Sequence, residues 1–151
     1  MTSSRALAGV FAGLLLFGAT ACGGDDASGG SAPAVADTTG TAGTGAVKVA
    51  PTDGAALIDS MGSELTVIDV RTADEFATGH LEGAVNIDVE GGQFSALIAD
   101  LPKDAPYMVY CHSGRRSAIA AQAMIDAGFT EVYDLGGIVD WQAAGLPVVT
   151  G

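Results

Sequence analysis

The run Tyr107-Met108-Val109-Tyr110 ends in Cys111, and a polar loop, His112-Ser113-Gly114-Arg115-Arg116, separates it from an alanine-rich stretch that opens at Ser117. A short apolar run bounded by such a loop reads as a buried strand. The stretch from Ser117 to Ala127, stopped by Gly128, reads as a helix. A buried strand feeding a helix is half of a crossover unit, which commits the chain to a largely parallel sheet covered by helices. Ligands in such sheets bind beyond the carboxyl ends of the strands, where Cys111 stands. A sulfur placed there faces N–H groups left unpaired by the loop and by the first helical turn. Those dipoles and the two arginines favour the nucleophilic thiolate. The alternative is a buried structural cysteine, against which the polar glycine-containing loop and the paired positive charges both argue.

The same alternation extends over about one hundred residues, from Val47 to the end of the chain at 151. Val47-Lys48-Val49 reads as an edge strand, and Thr52-Asp53 as the cap of a helix ending near Ser60 with Leu57 and Ile58 inward. Thr66 to Val70 is a strand, Ala73 to Ala77 a helical turn closed by Gly79, and Ala84 to Ile87 a strand. Phe94 to Leu101 reads as a helix with Pro102 just beyond it, and Glu131 to Asp134 as the last strand. Gly136-Gly137 then reads as a tight turn onto a helix that holds Trp141. This is one α/β domain, spanning 47–151.

Upstream, the character changes twice. The 16 residues from Ala6 to Ala21 are apolar, carry no charge and follow Arg5. They are too short and glycine-rich to span a bilayer comfortably but suit an export signal over 1–21. Ala19-Thr20-Ala21-Cys22 resembles the lipobox of bacterial lipoproteins, although Ala19 stands where leucine is usual. It implies lipidation at Cys22; cleavage after Ala21 with simple secretion is the alternative. From Cys22 to Ala46 the chain is Gly, Ser, Thr, Ala and Asp with no aromatic residue, which reads as a disordered spacer. The expected location is therefore outside the cytoplasm, on the outer membrane face by a lipid anchor, or periplasmic or secreted. Acylation of Cys22 would leave Cys111 as the one free thiol.

The formal charge of −12, one unit more negative once Arg5 leaves, makes nucleic acid an unsuitable partner. It also repels anions at long range, so any anion site must be local. Two of the six Lys and Arg residues lie side by side at 115 and 116.

Five segments, in order, resemble the single-domain rhodanese-like sulfurtransferases. They are Val67-Ile68-Asp69-Val70-Arg71 with Glu75-Phe76; Gly79-His80-Leu81-Glu82-Gly83-Ala84-Val85-Asn86-Ile87; Val109 to Ser117 with Gly128-Phe129; Leu135 to Trp141; and Gly145-Leu146-Pro147. The resemblance implies a five-stranded, mainly parallel sheet flanked by helices. It also implies transfer of sulfane sulfur from a thiosulfate-like donor to a thiophilic acceptor through a persulfide on Cys111. His112, Ser113, Gly114, Arg115, Arg116 and Ser117 would form the substrate-binding loop, with amides cradling anionic sulfur and the arginines attracting the donor's sulfonate. Asp69 would hold that loop by hydrogen bonds, and Arg71 would pair with Glu75 or Asp74. No metal and no organic cofactor is implied, and no protein partner is specified.

Two other classes share the architecture. Cysteine phosphatases and arsenate reductases place seven positions from cysteine to arginine, usually with histidine before the cysteine. Here Tyr110 precedes Cys111 and the arginines come at the fourth and fifth positions after it, a shorter loop that suits sulfur better than tetrahedral phosphate. A catalytically weak module for protein binding or redox sensing is the other alternative, although such modules usually lack the cysteine. His112 is either a selectivity residue or a tolerated loop residue, and His80 reads as fixing the segment before a strand. Trp141 and Phe129 read as core.

Overall fold

The structure, a computed structural model, describes residues 45–151. The expected export segment, Cys22 and the spacer lie outside the described residues, apart from the last two positions of the spacer. Within them strands and helices alternate: β1 (Val47–Lys48), α1 (Pro51–Met61), β2 (Thr66–Asp69), α2 (Ala73–Thr78), β3 (Val85–Asn86), α3 (Phe94–Ala99), β4 (Pro106–Cys111), α4 (Arg115–Asp126), β5 (Glu131–Gly137) and α5 (Ile138–Ala143). The five strands lie in the order β1-β5-β4-β2-β3, and every neighbouring pair is parallel. The architecture is the α/β sheet that the alternation predicts. From β2 the chain steps to one side, toward β3, and from β4 to the other, toward β5. The carboxyl ends of β2 and β4 therefore bound a topological switch point, where α/β sheets open a crevice for ligands.

The central strand β4 is apolar on both faces because both are covered. Tyr107, Val109 and Cys111 point into one core with Phe94 and Ile98 of α3 and Ala120, Ala121 and Met124 of α4. Met108 and Tyr110 point into the other, with Ile138 and Trp141 of α5 and with Leu57 and Ile58 packed from α1. Phe129 and Trp141 are buried, and the Trp141 indole N–H donates to the Pro147 carbonyl at 2.8 Å.

Several strand and helix ends shift by a residue from the sequence reading, and a few boundaries differ more consequentially. Helix α1 opens at Pro51 after Ala50, without a side-chain cap, and so takes in Thr52 and Asp53. Proline at the first helical position needs no N–H partner and has φ preset for the helix. Helix α3 ends at Ala99 rather than Leu101. Helix α4 starts at Arg115 rather than Ser117, because Gly114 takes a left-handed φ of 92° as its N-cap and turns the chain two residues earlier. Strand β5 continues through Gly137 instead of stopping at Asp134, so Gly136-Gly137 is strand rather than turn. That continuation includes a bulge. Val109 pairs with Asp134 but Tyr110 pairs with Gly136, which leaves Leu135 as the extra residue. The Asp134 carboxylate accepts the Gly136 N–H at 3.0 Å and holds the irregularity.

Candidate active site

Cys111 is the last residue of β4 and only 1% exposed. The chain leaves it in a tight loop that returns over the sulfur, and the Gly114 N–H donates to Sγ at 3.1 Å. Burial pushes the thiol up, but the N–H groups of Ser117, Ser113, Gly114 and Arg116 more than offset it, so the thiol sits below its ordinary range. Amides of the loop and of the first turn of α4 thus converge on one atom and favour its anionic form. An arrangement of this kind also stabilises negative charge that develops on an atom bound to that sulfur.

The loop keeps its shape because β5 supports it from below. A Cβ at Gly137 would lie 2.7 Å from the His112 carbonyl and 2.8 Å from the Ser113 Cα, so only glycine leaves room for the loop there. The buried Ser117 hydroxyl reaches the carbonyls of Gly114, at 3.1 Å, and Gly136, at 3.2 Å. The Val139 N–H, from the first turn of α5, donates to the His112 carbonyl at 3.3 Å. Ser117 therefore serves the site twice, its amide facing the sulfur and its hydroxyl tying loop to strand. The side chains of His112 and Ser113 are exposed, and among the described hydrogen bonds neither makes one through its side chain.

The two loop arginines diverge. Arg116 makes a bidentate pair with Glu75 of α2, with Nη1 to Oε2 and Nη2 to Oε1 both at 2.7 Å. Arg116 also lies 3.4 Å from the Glu90 carboxylate, in the segment between β3 and α3. The Arg116 guanidinium holds the Glu75 carboxyl at about 2, well below the usual range, with the Thr72 N–H and hydroxyl assisting against partial burial. Glu75 is itself fixed by a capping box, since Thr72 accepts its N–H and donates back to its carboxylate. Arg115 is 72% exposed and meets only Glu90, at 3.3 Å. The expectation that Arg71 pairs with Glu75 or Asp74 is corrected accordingly: Glu75 belongs to Arg116.

Arg71 instead pairs with Asp69, the residue two before it. Its Nε lies 3.0 Å from both carboxylate oxygens, Nη2 reaches Oδ2 at 2.6 Å, and its own N–H donates to Oδ1 at 2.9 Å. Nη2 also donates to the Gly79 carbonyl at 2.6 Å, and the guanidinium lies over the Tyr110 ring, 5.8 Å from its centroid. Asp69 makes no hydrogen bond to the cysteine loop, so the role expected for it is corrected too. The pair organises the far wall of the crevice. Tyr110 accepts the Leu81 N–H at 3.0 Å, and Asn86 donates to the Asp69 and Arg71 carbonyls at 3.1 and 2.8 Å. His80 stacks on Phe76 with centroids 3.8 Å apart and exchanges both backbone hydrogen bonds with Val149, which fixes this segment as its position suggests.

Cys22 lies outside the described residues. The sequence reading did not single out Glu90, Asp134 or Asn86, and it gave Gly137 a different role. The Thr72–Glu75 capping box was readable as a local motif, but nothing local marks Glu90, 26 residues from the Arg116 it meets.

Fold and site together define a parallel α/β domain that presents a buried cysteine sulfur, ringed by amides that favour its anionic form, at its switch point. The chain belongs to the rhodanese-like family: the model of the rhodanese-like domain matches residues 53–144. Its relatives include a thiosulfate sulfurtransferase GlpE of Pseudomonas aeruginosa, 40% identical over 78 residues that span 51% of this chain and 69% of the relative. A rhodanese-related protein from Thermoplasma volcanium superposes with a TM-score of 0.59 at 28% identity, covering 70% of this chain and 99% of that one. The polysulfide-sulfur transferase homodimer of Wolinella succinogenes superposes with a TM-score of 0.58 at 29% identity, covering 70% and 80%.

Proposed function

We propose that the chain is a sulfurtransferase of the thiosulfate type that carries sulfur as a persulfide on Cys111. The Cys111 thiolate attacks the outer sulfur of the donor. The new bond joins Sγ to that sulfur, the donor's sulfur–sulfur bond breaks, and sulfite leaves with the electron pair. A thiophilic acceptor such as cyanide then attacks the terminal sulfur, which leaves as thiocyanate and returns the thiolate. This is covalent catalysis by exchange of one sulfur atom. The convergence of the Ser113, Gly114, Arg116 and Ser117 amides on Sγ carries the reading. A persulfide places anionic charge one bond farther out, in the mouth of the same loop, where these amides and the first turn of α4 still favour it. The sulfurtransferase names of the relatives support the same chemistry, and the short span from Cys111 to Arg116 favours sulfur over phosphate.

The decisive experiment is thiocyanate production from thiosulfate and cyanide by the wild type and by Cys111→Ser. The wild type is expected to turn over and the variant to fall to background. Mass spectrometry after thiosulfate alone is expected to show one added sulfur on the Cys111 peptide. Hydrolysis of an aryl phosphate without that adduct would reassign the site to phosphoryl chemistry. For the upstream segment we propose export with lipidation at Cys22, supported by the Ala19-Thr20-Ala21-Cys22 pattern and the apolar run before it. Metabolic labelling with a fatty acid is expected to mark the wild type and not Cys22→Ala.

A further inference from the structure

Two arginines open α4 directly after Gly114, beside the cysteine loop, yet each is already met by a carboxylate. Arg116 is held by Glu75 on α2, and Arg115 by Glu90. Glu90 reaches both guanidiniums, with Oε1 3.3 Å from Arg115 and Oε2 3.4 Å from Arg116. Its backbone is set for this. The Glu90 N–H donates to Asp88 Oδ1 at 2.8 Å, an Asx turn that fixes its direction, and Gly92 takes a φ of 75° just beyond. The two positive and two negative side chains around the loop cancel. An incoming anion therefore meets oriented amides but little net positive charge.

We propose that Glu90 is a specificity-determining residue that discriminates among small sulfur substrates by charge, holding back multiply charged anions relative to singly charged or neutral ones. The chemical identity of those substrates rests on the sulfurtransferase reading above, but the discrimination itself does not. Glu90 is half-exposed and its ion pairs are long, so they contribute little to stability. Its carboxylate instead subtracts from the field of both arginines at the entrance. Coulomb energy is proportional to the charge of the incoming group, so the handicap on a dianion is twice that on a monoanion and absent for a neutral molecule.

The test uses Cys111 itself as the probe, by alkylation of the full chain read on the Cys111 peptide by mass spectrometry. Iodoacetate and iodoacetamide are nearly the same size and differ by one negative charge. In Glu90→Gln the ratio of the iodoacetate rate to the iodoacetamide rate is expected to rise about threefold at low salt, a fold-change typical of one unit charge in a solvated mouth. It should return to the wild-type ratio near roughly 1 M salt, where the screening length is about 3 Å. Glu64→Gln, on the opposite end of the strands, changes net charge equally and should leave the ratio alone. An unchanged ratio in Glu90→Gln, or an equal rise in Glu64→Gln, would overturn the proposal. In the turnover assay Glu90→Gln should lower the KM for thiosulfate severalfold, and for a monoanionic aryl thiosulfonate by only the square root of that factor. A raised alkylation ratio without thiosulfate turnover in any form supports the role of Glu90 and refutes the thiosulfate reading instead.

Discussion

Arg71 and Arg116 each grip a carboxylate through two guanidinium nitrogens, on opposite sides of the same crevice, yet the pairs do different work. The Asp69–Arg71 pair closes over two residues and is sealed, at 0% and 4% exposure. Its remaining bonds go to backbone and to the face of Tyr110, so it shapes a wall. The Glu75–Arg116 pair closes over 41 residues and is partly open to solvent. It ties the first turn of α4 to α2 across the switch point, and it sets how much positive charge the sulfur and its substrate experience. A buried pair is worth most when it is broken, because the survivor is stranded without water. A half-open pair is worth little in stability, since solvent replaces the lost partner. Similar hydrogen-bond geometry therefore yields a structural brace in one place and an electrostatic setting in the other.

Arg71→Met is the sharpest way to break this contrast. It strands the Asp69 carboxylate and should lower unfolding stability by about 3–5 kcal/mol in urea titrations, whereas Arg116→Met should cost about 1 kcal/mol or less. Equal losses would end the distinction. Gly137→Ala asks whether loop geometry depends on either arginine at all. Its Cβ should displace His112 and Ser113, lower stability by about 1–3 kcal/mol and reduce turnover roughly a hundredfold, with both ion pairs intact. Glu75→Gln should leave stability within about 1 kcal/mol of wild type. By freeing Arg116 it should move the pH profile of Cys111 alkylation to lower pH; a profile unmoved, or moved upward, would show that Glu75 does not set the charge at the sulfur.

The smallest effect is a slope. The Glu75 carboxyl ionises at about 2 in the folded protein against 4.5 ordinarily, so its folded-state pKa is depressed. Its contribution is then fully present above about 4.5 and is lost as pH falls toward 2. The thermal midpoint of the wild type should decline across that window more steeply than that of Glu75→Gln, and coincident slopes would remove Glu75 from the acid response.

What the sequence made legible follows the range of the interactions. Cys111, its loop and the strand and helix on either side are written in consecutive residues, and the parallel α/β arrangement follows from their alternation. The capping box over Thr72 and Glu75 is local as well. The partner of Arg116, the reach of Glu90 and the support from β5 are made by segments distant in the chain, and periodicity carries no mark of them. Arg71 is instructive because its partner is only two residues away. Arg71 would meet Asp74 or Glu75, three and four residues on, only if its own backbone were helical. It lies in the extended turn just after β2, where its own N–H and guanidinium both fold back to Asp69. The early start of α4 has a similar origin, because composition points to the first alanines but the backbone of Gly114 decides.

The bulge in β5 has a consequence for how this site can be rewritten. The loop occupies the volume that a side chain at position 137 would need, so loop length and strand sequence are one unit of inheritance. An insertion that enlarged the ring of amides to seat a bulkier anion would have to be matched by re-registering Leu135, Gly136 and Gly137 against β4. Grafting a longer catalytic loop between Tyr110 and Ser117 alone should yield a folded but misaligned nucleophile, whereas moving the loop together with the β5 segment should transfer a working one. New chemistry on this scaffold is thus reached in paired steps, through the strand that lies under the loop.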